Sequence, residues 1–334
     1  MKKLHSNFAI AIEELIEQKR GLGYKFESQA YILSRFDAFC ADKFPCSVIL
    51  DKNLVTTWAT LRKGENPGTL ESRVSPVNEL AKYFHRKGIE AYSLPKGFMP
   101  KKVRYIPYIF SDEELERLFE TIDTSCGFCY EVPLRHWVMP VFFRLLYCCG
   151  LRVSEARLLQ IKDVDLTRGV LTLTHTKNNK QRQIPLHPHL QTQMKDYFFK
   201  VHTLSNQEDW FFPGLHNNPM TVGNVNRNFR RFLWSAHISH SGRTPIGKKG
   251  APNVHSLRHT FAVNCLRKWM RQSKNLHAYL PVLQEFMGHT QLCATEYYLH
   301  FSVDMIEDIR GSLEERLGTI IPNNKFNRNY EEHD

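Results

Sequence analysis

Five side chains able to grip or attack a phosphate ester are spread between residues 152 and 298 of this chain: Arg152, His255, Arg258, His289 and Tyr298. Cations so far apart in sequence suggest convergence on one phosphate. Opening a phosphodiester without a metal requires a nucleophile, donors that neutralise charge on the non-bridging oxygens, and an acid for the leaving oxygen. Arginine suits the oxygens because its planar fork donates two parallel hydrogen bonds and stays charged. Arg152 and Arg258 are the two candidates. Arg152 follows Gly150, whose missing side chain permits close backbone approach, and Glu155 three residues on should orient it by charge pairing. His255 and Arg258 also stand three apart, so one helix face presents both, whereas His259 is expected to point elsewhere as a structural hydrogen-bonder. A phenol with a pKa near ~10 is a poor nucleophile at neutral pH, but neighbouring cations would favour Tyr298 as the phenolate. Its neighbour Tyr297 is expected to pack in the core.

These residues lie in short motifs: Gly150-Leu151-Arg152-Val153-Ser154-Glu155, His255-Ser256-Leu257-Arg258-His259, Met287-Gly288-His289-Thr290 and Glu296-Tyr297-Tyr298-Leu299-His300. In this order they resemble the tyrosine recombinase (phage integrase) family, over residues 106–305. The resemblance implies site-specific DNA recombination or integration through a covalent 3′-phosphotyrosine on Tyr298, with no cofactor and no metal. It assigns Lys177, at the turn of a β-hairpin, as the acid that protonates the leaving 5′-hydroxyl, with Lys180 on the same turn as its rival. Lys180 and Arg182 are otherwise expected at phosphates flanking the site, and His289 on the phosphate or at the tyrosine's proton. The implied partners are double-stranded DNA, other copies of the chain in a homotetramer on two DNA sites, and accessory recombinases. An integrase or transposase of a mobile element is the first reading. A chromosome-dimer resolvase of the same family, a type IB-like topoisomerase and a non-catalytic DNA-binding protein are the alternatives. Two features depart from the family pattern: Thr176 stands where a glycine is common, and the C-terminal tail is polar. Residues 305–317 are the candidate for the family's helix that docks on a neighbouring subunit.

The elements that must hold such a site read as mainly α with a small antiparallel β-sheet, an α+β fold. Apolar residues three and four apart mark helices over residues 8–16, 31–39 and 54–61. A fourth covers residues 69–86, with Val74, Val77, Leu80, Ala81 and Phe84 on one face, after the turn signal at residues 64–68 and before Gly88. Ser111-Asp112-Glu113-Glu114 is a capping box. Residues 137–147 form a long apolar run and should be a buried helix, helical spacing resumes over residues 153–161, and residues 169–186 alternate as a hairpin. The expected organisation is therefore a helical core-binding, DNA-binding domain over residues 1–92, a basic proline-containing linker over 93–107, a catalytic domain over 108–318 and a polar tail over 319–334. In the linker, Lys101, Lys102 and Arg104 are candidates to follow a DNA backbone.

Bulk properties agree with a polyanionic partner: 334 residues carry 45 Lys and Arg against 34 Asp and Glu, a net charge of +11. No run approaches the ~18 apolar residues of a membrane span. The stretch after the N-terminus is too short for a signal sequence, so a cytoplasmic protein is expected. Of the eight cysteines, Cys126 and Cys129 have half of a zinc-site spacing, but no second pair follows at a suitable distance.

Overall fold

The structure, a computed structural model, describes residues 3–95, 97–98, 100, 106–125, 134–176, 180–238 and 250–301. Lys101, Lys102, Arg104, Lys177, Cys126, Cys129, residues 305–317 and the tail over 319–334 lie outside the described residues. The chain divides into two compact units, Met1–Arg104 and Tyr105–Asp334.

The first unit is a bundle of four helices: α1 (Ala9–Gly21), α2 (Glu27–Lys43), α3 (Lys52–Trp58) and α4 (Pro67–Arg86). Each contributes an apolar stripe to one core, where Ile12, Leu15, Leu33, Phe36, Leu54, Val77 and Leu80 are fully buried. The residues read as a turn before α4 include its cap. Asn66 accepts a hydrogen bond from the Thr69 amide at 2.8 Å, and Pro67 opens the helix, where its missing N–H would have had no partner anyway. Arg73, buried on α4, donates to both Glu65 oxygens at 2.9 and 2.8 Å. The end of this domain and the first residues expected in the linker pack on this unit: Tyr92 donates its amide to the Leu50 carbonyl at 2.6 Å, and Leu94, in the expected linker, to the Asn78 side chain at 3.2 Å.

The second unit is mostly helical around a three-stranded antiparallel sheet. It begins with α5 (Asp112–Ser125), where the Ser111 amide meets Glu114 at 3.0 Å and the Glu114 amide meets the Ser111 hydroxyl at 3.2 Å, the reciprocal cap read from sequence. The apolar run forms α6 (Arg135–Cys148), apolar on most sides because it is wrapped by its neighbours, with Phe142, Phe143 and Leu145 fully buried. The helix expected over 153–161 stops early. Only α7 (Val153–Arg157) is α-helical, because Asp163 captures the Gln160 amide at 3.0 Å and the Ile161 amide turns away to the Asp209 carbonyl at 3.0 Å, which starts a 3-10 turn instead. Strands β1 (Val164–Asp165), β2 (Val170–Leu173) and β3 (Arg182–Pro185) follow in that spatial order. The hairpin is shorter than its alternation suggested, ending at the pair Leu173↔Arg182; beyond it the Thr176 hydroxyl donates to the Lys180 carbonyl at 2.8 Å. β1 is only a two-residue strand, too short to leave a period. Then come α8 (Pro188–Val201), α9 (Val222–Ser235), α10 (Val254–Arg271), α11 (Leu276–Met287), α12 (Cys293–Glu296) and a 3-10 segment, Tyr297–Phe301.

Candidate active site

Two glycine turns bring the distant motifs together. α6 ends in Gly150, whose φ of +55° suits glycine, and a Cβ there would stand 2.4 Å from the Phe261 ring on α10. Only glycine lets α6 lie this close to α10. The chain leaves it extended, so Arg152 sits at the N-cap of α7 with φ −73° and ψ 147°. α11 ends in Gly288 in the left-handed region, φ +65°, where a Cβ would meet the Arg182 guanidinium at 2.7 Å. The carbonyls of its last turn lack helical partners, and their partial negative charge favours cations. Three arginines occupy them: Arg182 Nε on Phe286 O at 3.0 Å, Arg258 Nη2 on Met287 O at 2.7 Å and Arg152 Nη2 on Gly288 O at 2.9 Å.

Glu155 ties two of these arginines together. It is 2 % exposed and accepts from Arg152 Nη1 at 2.8 Å and the Arg152 amide at 2.9 Å, while Arg182 meets both of its oxygens at 3.0 Å. Burial pushes its carboxyl up, but the hydrogen bond and charge of Arg182, then Arg152, outweigh that and hold it below the ordinary carboxylate value. The expected pairing of Glu155 with Arg152 is present. Arg182 differs from expectation: its guanidinium is committed to Glu155 and Phe286 inside the protein, not presented to a flanking phosphate.

Arg258 is 1 % exposed and bonds the Gly150 carbonyl and, at 3.0 Å, His289 Nε2. Burial, then the charge of Arg152, lower it to about 10, so it remains a cation at neutral pH. His289 Nδ1 meets the hydroxyl of Thr295, a fully buried residue, at 2.8 Å. His255 stands on the first turn of α10 with an edge open to solvent. Desolvation, then Arg258 and Arg152, push it down to about 4, and the same order of causes pushes His289 to about 4. Both are neutral at pH 7.

Tyr298 is 3 % exposed, packed with Ala262, Leu266, Leu283 and Met287. Its hydroxyl lies 3.0 Å from His259 Nδ1. His259 was expected to point elsewhere; one turn after His255, with the two rings 4.5 Å apart, it reaches the phenol instead. The ring of Tyr297 is half-buried beside that of Tyr298, 6.1 Å between centroids. The phenolate expected from neighbouring cations is not favoured in the DNA-free site: burial raises Tyr298 by more than Arg258 and Arg152 lower it. Arg152, His255, Arg258, His289 and Tyr298 thus share one locus. Lys180 joins its edge, lining with Arg152, Gln284, His289 and Thr290 a cleft of about 100 Å³. His259 and Thr295 were missed as site residues. The signal for His259 was its i,i+4 spacing from His255; Thr295 had none.

Residues 109–304 match the model of the phage integrase family. A putative integrase/recombinase y4rB of Sinorhizobium fredii is 30% identical over 319 residues, 93% of this chain and 98% of that one. The tyrosine recombinase XerC of Bacillus subtilis is 30% identical over 252 residues, 74% of each. Among solved structures, XerH site-specific recombinase bound to palindromic difH substrate superposes with a TM-score of 0.62 at 20% identity, over 91% of this chain and 84% of that one. The Tn1549 transposon integrase in complex with transposon right end DNA does so with a TM-score of 0.63 at 16% identity, over 92% of this chain and 99% of that one. The motif series read from the sequence, the family match across most of the second unit and a relative alike over nearly its whole length agree: this chain is a member of the phage integrase family, the tyrosine recombinases.

Proposed function

We propose that this recombinase cuts and rejoins double-stranded DNA at specific sites through a 3′-phosphotyrosine on Tyr298, as the integrase or transposase of a mobile element. The single observation that carries the chemistry is a phenol buried within the field of two arginines, Arg152 and Arg258, with the imidazoles of His259 and His289 beside its ring. Arg152 and Arg258 embrace the scissile phosphate and stabilise charge that grows on its non-bridging oxygens. Their backbone anchors at the end of α11 fix both forks before DNA arrives, so little reorganisation remains for the reaction. The Tyr298 oxygen attacks phosphorus, the P–O5′ bond breaks, and a lysine of the hairpin turn, Lys177 or Lys180, protonates the leaving oxygen. The phosphotyrosine retains the bond energy, so a different 5′-hydroxyl religates without ATP.

The mobile-element role is supported by the near full-length likeness to a putative integrase/recombinase. DNA binding is further supported by α9, where Arg227, Arg230 and Arg231 are exposed together beside Trp234, 77 % exposed, and have no ion-pair partner among the described residues. On this proposal Lys101, Lys102 and Arg104 contact the DNA backbone, and the active assembly is a homotetramer on two sites.

A nicked suicide duplex tests the proposal. Wild-type protein is expected to become covalently attached to DNA, with the attached strand ending in a 3′-phosphate on Tyr298. Tyr298→Phe should bind DNA with nearly unchanged affinity, because it loses one oxygen and no charge, yet form no adduct. Sequencing the captured strands from a genomic library then identifies the target. Adduct formation by Tyr298→Phe would move the nucleophile, with Tyr297 as its nearest replacement.

A further inference from the structure

The buried phenol must lose its proton to something as it attacks, and the site holds three imidazoles. Hydrogen-bond roles separate them. His289 Nε2 faces Arg258, which can only donate, so Nε2 is an acceptor; the ring proton then sits on Nδ1, facing the Thr295 hydroxyl at 2.8 Å. Both nitrogens of His289 are engaged, and its lone pair is taken by a cation. His255 is open to solvent and has no contact with Tyr298 among the described residues; its ring abuts His259 nearly edge-on, 83° between planes. His259 alone of the three meets the phenol, Nδ1 to hydroxyl, at 3.0 Å.

We propose that His259 is the base that takes the Tyr298 proton during cleavage and returns it during religation. The inference rests on the reading of Tyr298 as nucleophile. As the Oη–P bond forms and the P–O5′ bond breaks, the Oη–H proton passes to His259 Nδ1, whose imidazole already carries a proton on Nε2. The turn lysine supplies a separate proton to O5′. In religation the incoming 5′-hydroxyl returns its proton to that lysine as it attacks phosphorus, the Oη–P bond breaks, and His259 gives the proton back to Oη. Arg258, Arg152, His255 and His289 face this pair, and Tyr297 flanks the phenol. Burial, then His255 and Arg258 beside it, lowers His259 to about 3, so its imidazole is neutral and able to accept. Tyr298 is 3 % exposed, so bulk water has little access to its hydroxyl.

Single-turnover covalent capture on the suicide duplex, with full-length protein at saturating DNA, separates a base from a packing residue. His259→Ala is expected to slow capture by about 10²–10⁴-fold, the range for losing a positioned base. Incorporating 3,5-difluorotyrosine at position 298, whose phenol ionises far more easily, should restore that variant to within about tenfold of the wild type, whereas Arg152→Ala should gain no such rescue. His259→Gln, closer in volume, guards against a folding defect and should show the same rescue. The rate of His259→Ala should also climb with pH towards the phenol's own ionisation, while the wild-type rate levels off earlier. Wild-type rates in both His259 variants, or slow capture that the fluorinated phenol leaves unchanged in both, overturn the proposal. Wild-type protein that captures no DNA sinks the reading of Tyr298 itself, and this inference with it; capture by the wild type with His259 indifferent sinks the inference alone.

Discussion

Glu155 holds two guanidinium groups that would otherwise face each other across the site. Replacing it by glutamine keeps hydrogen-bonding capacity but removes the charge, leaving Arg152 and Arg182 uncompensated. Loss of one partner from a buried ionic group costs about 3–5 kcal/mol, and the lower end applies because the Arg152 side chain is 21% exposed. The carboxyl lies below its ordinary value in the folded protein, so its stabilisation is complete above about pH 4.3, the unfolded value, and is lost as pH falls from there through the folded value. Glu155→Gln should therefore melt lower than the wild type at pH 7, with the gap closing as pH falls below the unfolded value; a gap constant with pH would refute the ion-pair account. Suicide capture should slow as well, since Arg152 loses its anchor. The acid is a separate question, because Lys180 lines the cleft while Lys177 lies outside the described residues. A substrate with sulfur in place of the scissile 5′-oxygen needs no acid, since a thiolate leaves unprotonated. Lys177→Ala should be slow on ordinary DNA and close to wild type on the sulfur strand, with Arg152→Ala slow on both; that rescue in Lys180→Ala alone would transfer the role.

At the level of elements, the C-terminus of α11 organises the site. Its last three carbonyls, on Phe286, Met287 and Gly288, receive Arg182, Arg258 and Arg152 in turn. A helix end is thereby capped by arginines from β3, α10 and the start of α7, so the dipole and the unpaired carbonyls align them. The arrangement depends on Gly288. An alanine there would enter the left-handed region at a cost of about 1–2 kcal/mol, with its Cβ 2.7 Å from the Arg182 guanidinium. Gly288→Ala should lower the melting temperature and slow covalent capture more than it weakens DNA binding, as measured by calorimetry, single-turnover capture and gel shift. Capture at the wild-type rate would mean that the α11 terminus does not position the arginines.

For the whole molecule, a net charge of +11 matters most where the fold gathers it, and α9 presents three arginines on one exposed face. If they meet phosphates, changing Arg227, Arg230 and Arg231 together to alanine should reduce the slope of log K against log salt by up to about 2.7, at roughly 0.9 per phosphate contact. An unchanged slope in a salt titration would remove α9 from the DNA interface. The sequence by itself determined the family, through four motifs in order, and the helical bundle followed by a mainly helical unit with a β-hairpin. Those are legible because apolar periodicity, capping residues such as Ser111 and Glu114, and the pairing of functional residue types at short spacing are local properties. Which imidazole meets the phenol was not legible: His259 and Tyr298 lie 39 residues apart, and their contact arises from how α10 packs on the segment Tyr297–Phe301. The hairpin position likewise suggested Arg182 for a flanking phosphate, whereas tertiary packing buried it on Glu155. The ionisation of Tyr298 turned on the same difference. Sequence shows which charges accompany a group, but the depth of its burial decides whether desolvation or those charges prevail, and that depth exists only once the chain has folded.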